Sequence, residues 1–203
     1  MPRSPTPMQS ADVAALVSGF GSEDRCRAYL ELLRWPDGVR CPRCDAGTGI
    51  SRIERRRQFD CDSCGYQFSV RVGTVFHGSH LPLWKWFLAV YVMSESKKGV
   101  SANQLKRTLG VSYKTAWYLC HRIRAAMKDE APQLLRTDES AARLLERSLV
   151  GPHHHLSAKH LPAYRDEMAF RYNNRDNAYL FRDTLLRLIG AESMPYTELI
   201  AHA

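Results

Sequence analysis

The chain has 203 residues, 44% of them hydrophobic and 25% charged, with a formal net charge of +8. This is the composition of a soluble globular protein of one ordinary domain or two to three small ones, and it excludes a disordered chain. Its longest apolar run, the eight residues from Trp86 to Met93, is far short of the roughly 20 needed to span a bilayer, so no membrane is expected as a partner.

Met1 to Ser10 carries three prolines and no apolar stretch, so it reads as a flexible leader rather than a secretory signal. Two short amphipathic helices are predicted to follow, over Ala11 to Phe20 and Glu23 to Arg34. In the second, Cys26, Leu30 and Leu33 recur at helical spacing. Trp35-Pro36-Asp37-Gly38 is then a stop-and-turn signal.

Cys41 and Cys44 form one C-x2-C pair, Cys61 and Cys64 another, with sixteen residues between the pairs. Each pair offers two thiolates from one tight knuckle, and two knuckles close a tetrahedron around structural Zn²⁺. The intervening residues are polar and arginine-rich, which predicts a zinc ribbon without a conventional core that needs its metal to fold. The alternatives are two chance C-x2-C pairs, or disulfides, which require an oxidising compartment. Cys26 and Cys120 sit on apolar helical patterns as small buried hydrophobes, and all six cysteines fit a reducing cytoplasm. Within the ribbon, Arg55 to Phe59 predicts a strand, and Tyr66, Phe68 and Val70 predict another. Arg52, Arg55, Arg56 and Arg57 make the middle strand basic, suited either to phosphate contact or to simple solvation.

His77 and His80 follow, but four cysteines already complete a tetrahedron, so both histidines are read as structural. Leu81 to Ser96 is a strongly apolar helix with Trp84, Phe87, Leu88, Tyr91 and Val92 expected on one side. Between Lys97 and Lys128 stand eight basic residues and no acid: Lys97, Lys98, Lys106, Arg107, Lys114, Arg122, Arg124 and Lys128. Charge concentrated in this way attracts nucleic acid. Ser101 with Gln104 opens a first helix there, Gly110 ends it, and Ser112 caps a second from Tyr113 to Met127. Ala116, Leu119, Cys120 and Ile123 are expected inward; Lys114, Thr115, Tyr118, His121, Arg122 and Arg124 outward or at the flanks. The layout is that of a helix-turn-helix whose second, basic helix enters a major groove, with an ordinary helical hairpin as the alternative. A linker from Asp129 to Leu135 precedes three further helices, near Thr137 to Leu149, from Ser157, and over Ala178 to Ile189. Leu161, Tyr164, Met168 and Tyr172 hold helical spacing in the middle one. No Gly-rich phosphate loop or nucleophile elbow occurs.

Several of these segments together resemble the prokaryotic insertion-sequence transposases that join an N-terminal zinc ribbon to a DDE-type, RNase H-like catalytic domain. The resemblance rests on C-P-R-C at Cys41, C-D-S-C-G-Y at Cys61, G-T-V-F at Gly73, L-P-L-W-K-W-F at Leu81, V-S-Y-K-T-A-W at Val111 and H-R-I-R-A-A-M at His121. It resumes at Gly151, His154-His155, S-A-K-H-L-P from Ser157, Tyr164, Glu167, F-R-Y-N from Phe170, and Arg175. Such enzymes hold two divalent ions with three acids and use them for strand cleavage and transfer. The resemblance places Glu139 where the last acid belongs, although Arg136 stands where the family tends to have asparagine. In the family, a long stretch carrying the sheet and both aspartates separates the helix-turn-helix from that acid. Here nine residues separate Asp129 from Glu139, too few for the sheet.

The expected fold is therefore mainly α with a small β zinc ribbon, then a helix-turn-helix, then a C-terminal helical remnant of an RNase H-like domain. The expected divisions are a leader and short helix over 1–22, the ribbon with its preceding helix over 23–76, the helix-turn-helix region over 77–130, and the remnant over 131–203. Without the sheet, the apolar faces of the C-terminal helices must pack on one another, on the N-terminal helices or on another chain, with loose packing expected between the halves. The resemblance implies a DNA-binding protein of an insertion sequence that recognises terminal inverted repeats in double-stranded DNA through Lys106, Arg107, Lys114, Thr115, Tyr118, Arg122 and Arg124, with Arg55, Arg56 and Arg57 assisting. It implies loss of catalysis, with Mg²⁺ required only if catalysis survives, and intact transposase copies as possible oligomer partners. The expected location is the prokaryotic cytoplasm, on the nucleoid when DNA is bound. The alternative is a zinc-ribbon transcriptional regulator without transposition activity.

Overall fold

The computed structural model describes residues 22–96, 99–128, 158–192 and 195–201. The leader, the helix expected over Ala11 to Phe20, Lys97, Lys98, the linker from Asp129, Glu139, and Gly151 with His154 and His155 lie outside the described residues.

Helix α1 spans Glu23–Arg34 and buries Cys26 and Leu30, two of the three residues its spacing singled out. Glu23 and Asp24 in its first turn suit the positive end of a helix dipole. Glu23 also does work elsewhere. One carboxylate oxygen lies 2.5 Å from Arg71, and the other accepts the backbone N–H of Leu83 at 2.7 Å. Leu83 is the first residue of the next long helix, and the residue before it is Pro82, so Glu23 supplies a cap from a distant part of the chain. The turn after α1 has Gly38 at φ 111°, a conformation open to glycine alone among common residues.

The ribbon is a three-stranded antiparallel sheet in the order β1 (Ile50–Ile53), β2 (Gln58–Cys61), β3 (Tyr66–Phe68). Ile50 pairs with Cys61, Arg52 with Phe59, and Phe59 with Phe68. The expected middle strand is shorter than the sequence suggested. Glu54–Arg56 form a 3₁₀ turn and Arg57 is left-handed at φ 56°, so the arginine cluster lies at a hairpin tip and not along a strand. The absence of a conventional core is also corrected. Trp35, Phe59 and Phe68 pack with ring centroids 5.4 to 5.9 Å apart, placing a small aromatic core beneath the cysteines. Trp35 touches this cluster and the main core at once.

Helix α2 (Leu83–Glu95) is the hub of the main core. Its buried residues are Leu83, Trp86, Phe87, Ala89, Val90, Met93 and Ser94, so the side expected to face inward is rotated. Of that set only Phe87 is fully buried, while Trp84, Leu88, Tyr91 and Val92 are half-buried. The reason is that neighbours surround α2 on several sides: α1, then α3 (Ala102–Leu109), α4 (Tyr113–Ala126) and α6 (Leu180–Gly190). An apolar helix covered on nearly all sides has no single face for a periodicity to mark.

A short 3₁₀ turn, Ala158–His160, leads into α5 (Leu161–Asn173), and after α6 a last helix, α7, covers Tyr196–Ala201. The C-terminal helices pack on the N-terminal ones. Phe170, Leu180, Phe181, Leu185 and Leu188 belong to the same core as Cys26, Phe87 and Ile123. Phe181 meets Phe87 edge-on at 5.9 Å, and α5 lies against α4. Loose packing between the halves is thus corrected to one continuous core among the described residues. Those residues have no strand outside the ribbon, and none of their helices is long and apolar enough to cross a membrane.

Candidate metal centre and nucleic-acid interface

The two cysteine knuckles share one backbone design. In the first, the N–H of Asp45 bonds the carbonyl of Cys41 at 2.9 Å; in the second, the N–H of Gly65 bonds the carbonyl of Cys61 at 2.8 Å. The residue closing each turn is left-handed, Asp45 at φ 58° and Gly65 at φ 64°. This geometry turns two thiols of each pair toward a common point. The four sulfurs lie within 4.8 Å of one another, with Cys41 to Cys64 at 3.7 Å and Cys44 to Cys61 at 3.6 Å. A tetrahedral Zn²⁺ with Zn–S bonds of about 2.3 Å requires sulfurs about 3.8 Å apart. The fit is good, and the separations are far beyond the roughly 2.05 Å of a disulfide.

Thiol acidity differs across the cluster. Burial raises the Cys41 pKa, but backbone N–H groups of Cys44 and Arg43 outweigh it and bring it to about 7. Cys64 goes the other way, pushed up to about 12 by burial and by the neighbouring Cys44 sulfur. A divalent cation bound among the four sulfurs would deprotonate the thiols it binds. Among the described residues this is the one group of three or more metal-capable side chains close enough to share an ion. His77 and His80 are not part of it. His77 instead accepts the Gly73 N–H at 3.3 Å through Nδ1.

The helix-turn-helix forms as its caps predict. Ser101 accepts the N–H of Gln104 at 3.2 Å, Gly110 is left-handed at φ 59°, and Ser112 accepts the N–H of Thr115 at 3.1 Å. Ala116, Leu119, Cys120 and Ile123 are all buried, as expected. Lys106, Arg107 and Lys114 are exposed, and Thr115 and Tyr118 are half-buried. Arg55, Arg56 and Arg57 are exposed at the ribbon tip, which is anchored to α1 by Arg57 to Asp24 at 3.1 Å and by Arg52 to Glu31.

Three residues expected outward or at the flanks are not there. His121, Arg122 and Arg124 retain only 3%, 3% and 1% of their exposure. Arg122 points at the G-T-V-F loop, donating to the carbonyls of Val75 and, at 3.0 Å, His77. Arg124 is held by Glu167 of α5 at 2.5 Å and donates to the Val100 carbonyl at 3.1 Å. Its guanidinium also lies 3.8 Å from the Tyr164 ring centroid. Burial works against its charge, but the Glu167 carboxylate prevails and holds its pKa above the ordinary value. Arg171 adds a second cation, with Nε 3.2 Å from the other Glu167 oxygen as an ion pair. These arginines bind protein. The helical spacing was right about the inward stripe, but it carried no sign of α5, which covers the flank.

Sequence reasoning missed two more features. Glu167 stands four positions before Arg171 on one helix, the spacing of an ion pair, but nothing local marks it as buried or as the partner of Arg124. Trp117, His121, His160 and Tyr164 also form an aromatic cluster, with His121 and His160 centroids 4.5 Å apart. Burial first, then the nearby Arg124, depresses the His121 pKa to about 3.

Comparison with known proteins agrees with this arrangement. Residues 21–67 match the transposase zinc-ribbon domain of IS1595 type, and residues 112–173 match the ISXO2-like transposase domain. Over 120 residues the chain is 36% identical to an uncharacterized protein in transposable element ISH50 of Halobacterium salinarum. The matched stretch is 58% of this chain and 40% of that relative's length. No solved structure matches the chain. The chain is thus similar, in two separate stretches, to the zinc-ribbon and transposase domains of insertion-sequence proteins.

Proposed function

We propose that this chain is an internally shortened insertion-sequence transposase that binds element-end DNA and does not cut it. The observation that carries the reading is the spacing between recognised parts. One matched segment, residues 112–173, takes in both α4 and α5, and only nine residues lie between Asp129 and Glu139 within it. That interval is too short for a sheet bearing two aspartates, and one carboxylate does not fix two ions about 4 Å apart. DNA binding is supported by the capped helix-turn-helix and by exposed Lys106, Arg107 and Lys114 around its turn. Arg55, Arg56 and Arg57 at the ribbon tip offer a second phosphate contact. Zn²⁺ in this reading shapes the ribbon and takes no part in chemistry. Duplex DNA with terminal inverted repeats is the partner, intact transposase copies are a second, and the site of action is the nucleoid.

A salt titration of DNA affinity tests the interface. Lys114→Ala weakens binding and lowers the slope of log affinity against log salt by about one. Arg122→Ala lowers stability, because it removes the partner of the Val75 and His77 carbonyls. An unchanged affinity and slope for Lys114→Ala would reject the recognition-helix assignment.

A further inference from the structure

Helix α7 lies across the surface that would face DNA. The outward stripe of α4 runs through Lys114 and Tyr118, with Trp117 beside it. Tyr196, the first residue of α7, touches all three. Its ring stands at 89° to Tyr118 with centroids 5.5 Å apart, lies 6.3 Å from Trp117, and has the Lys114 ammonium 4.5 Å from its centroid. The segment is fastened further along, where Lys159 Nζ donates to the Leu199 carbonyl at 2.7 Å and Leu199 is 8% exposed. Pro195 and Tyr196 form one wall of a cleft of about 900 Å³, whose opposite walls are the His80–Leu81 loop and the start of α4 at Ser112 and Thr115.

A recognition helix reads bases with the side chains near its N-terminus, and these must lie against the groove floor. Tyr196 occupies that space. Among the described residues, the contacts seen to hold it include one cation over a ring face, two edge-to-face ring pairs, one lysine–carbonyl bond and the burial of Leu199. Contacts of this size suit a reversible cover, and phosphate competes directly for the Lys114 ammonium.

We infer that residues 195–201 are an autoinhibitory strap over the DNA-reading face of α4, displaced when DNA binds. The inference rests on the DNA-binding reading above. Apparent affinity is reduced by the fraction of molecules with the strap open, so a strap closed nine times in ten weakens binding about tenfold.

The test uses full-length protein and a mixed-sequence DNA duplex followed by fluorescence anisotropy. Tyr196→Ala is expected to bind about tenfold tighter than wild type. Tyr196→Phe keeps the ring face for Lys114 and is expected to bind as wild type does. Backbone ¹⁵N heteronuclear NOE values for 196–201 supply a readout that needs no DNA. They are expected to be high in the wild type, low in Tyr196→Ala, and to fall in the wild type when DNA is added. Equal affinity of wild type and Tyr196→Ala, or a strap that stays ordered on DNA, overturns the inference. Weaker binding by Tyr196→Ala also overturns it and makes Tyr196 a DNA contact. Absence of binding by every form, even with the strap ordered in the free wild type, removes the DNA-binding reading and the strap's role with it.

Discussion

Arg124 and Glu167 show how one pair can join two segments that are 43 residues apart in the chain. Both side chains are 1% exposed, so neither charge can fall back on water if its partner is lost. Removing one member of such a pair costs about 3–5 kcal/mol, because the survivor stays buried and uncompensated. Glu167→Ala, which strands Arg124 and Arg171 together, is therefore expected to lower the urea-unfolding free energy by that amount. A loss below about 1 kcal/mol would mean that the pair is solvated in solution. His121 is the second residue with a stability signature. Its folded pKa of about 3 lies below the ordinary 6.5, so between those values the unfolded chain binds a proton that the folded chain refuses. Stability from neutral His121 is complete above about pH 6.5 and is lost as pH falls toward 3, with a slope approaching about 1.4 kcal/mol per unit. Unfolding measured between about pH 4 and 5.5 should approach that slope in the wild type and show a shallower one in His121→Phe. Parallel slopes would place the acid sensitivity elsewhere.

At the scale of elements, the ribbon is the part whose folding a metal at the four cysteines would decide. Its own core is four buried residues, Cys41, Phe59, Cys61 and Phe68, two of which are proposed ligands. Too little apolar area is buried there to order the strands without Zn²⁺. Chelation should thus abolish the chemical-shift dispersion of 39–68 and leave the helical core folded, with one Zn²⁺ per chain released. Retention of the ribbon's dispersion after zinc removal would show that the aromatic cluster suffices. The parts of the fold that were legible in the sequence are those that local chemistry decides. C-x2-C spacing fixes a knuckle, Ser101 and Ser112 fix helix starts, and Gly110 fixes a helix end. What was illegible depended on partners remote in sequence. Arg122 and Arg124 resemble groove-facing cations until the G-T-V-F loop and α5 are known to cover them. The inward side of α2 could not be chosen because several helices surround it. The arginine run at Arg55–Arg57 favoured a strand by weak alternation, while the hairpin needed a turn there.

For the molecule as a whole, the C-terminal helices have a use that does not require catalysis. Phe170, Phe181, Leu185 and Leu188 complete the core that also supports the helix-turn-helix, and the Val75 N–H bonds the Leu188 carbonyl at 3.1 Å. A shortened transposase would need these helices simply to keep its DNA-binding end folded. The stretch matched to a curated relative is about 40% of that relative's length, and in the proposed reading the nine residues between Asp129 and Glu139 stand where a catalytic sheet would be carried. Binding and cutting should therefore be separable. The most direct measurement is a single experiment on a labelled duplex carrying the terminal repeats of the encoding element, with Mg²⁺ or Mn²⁺ present, scoring gel shift and strand cleavage in the same reactions. A shortened transposase gives a shifted complex with every strand intact. Metal-dependent cleavage that is abolished by Glu139→Gln would contradict it, because a complete set of catalytic acids would then have to exist within this chain.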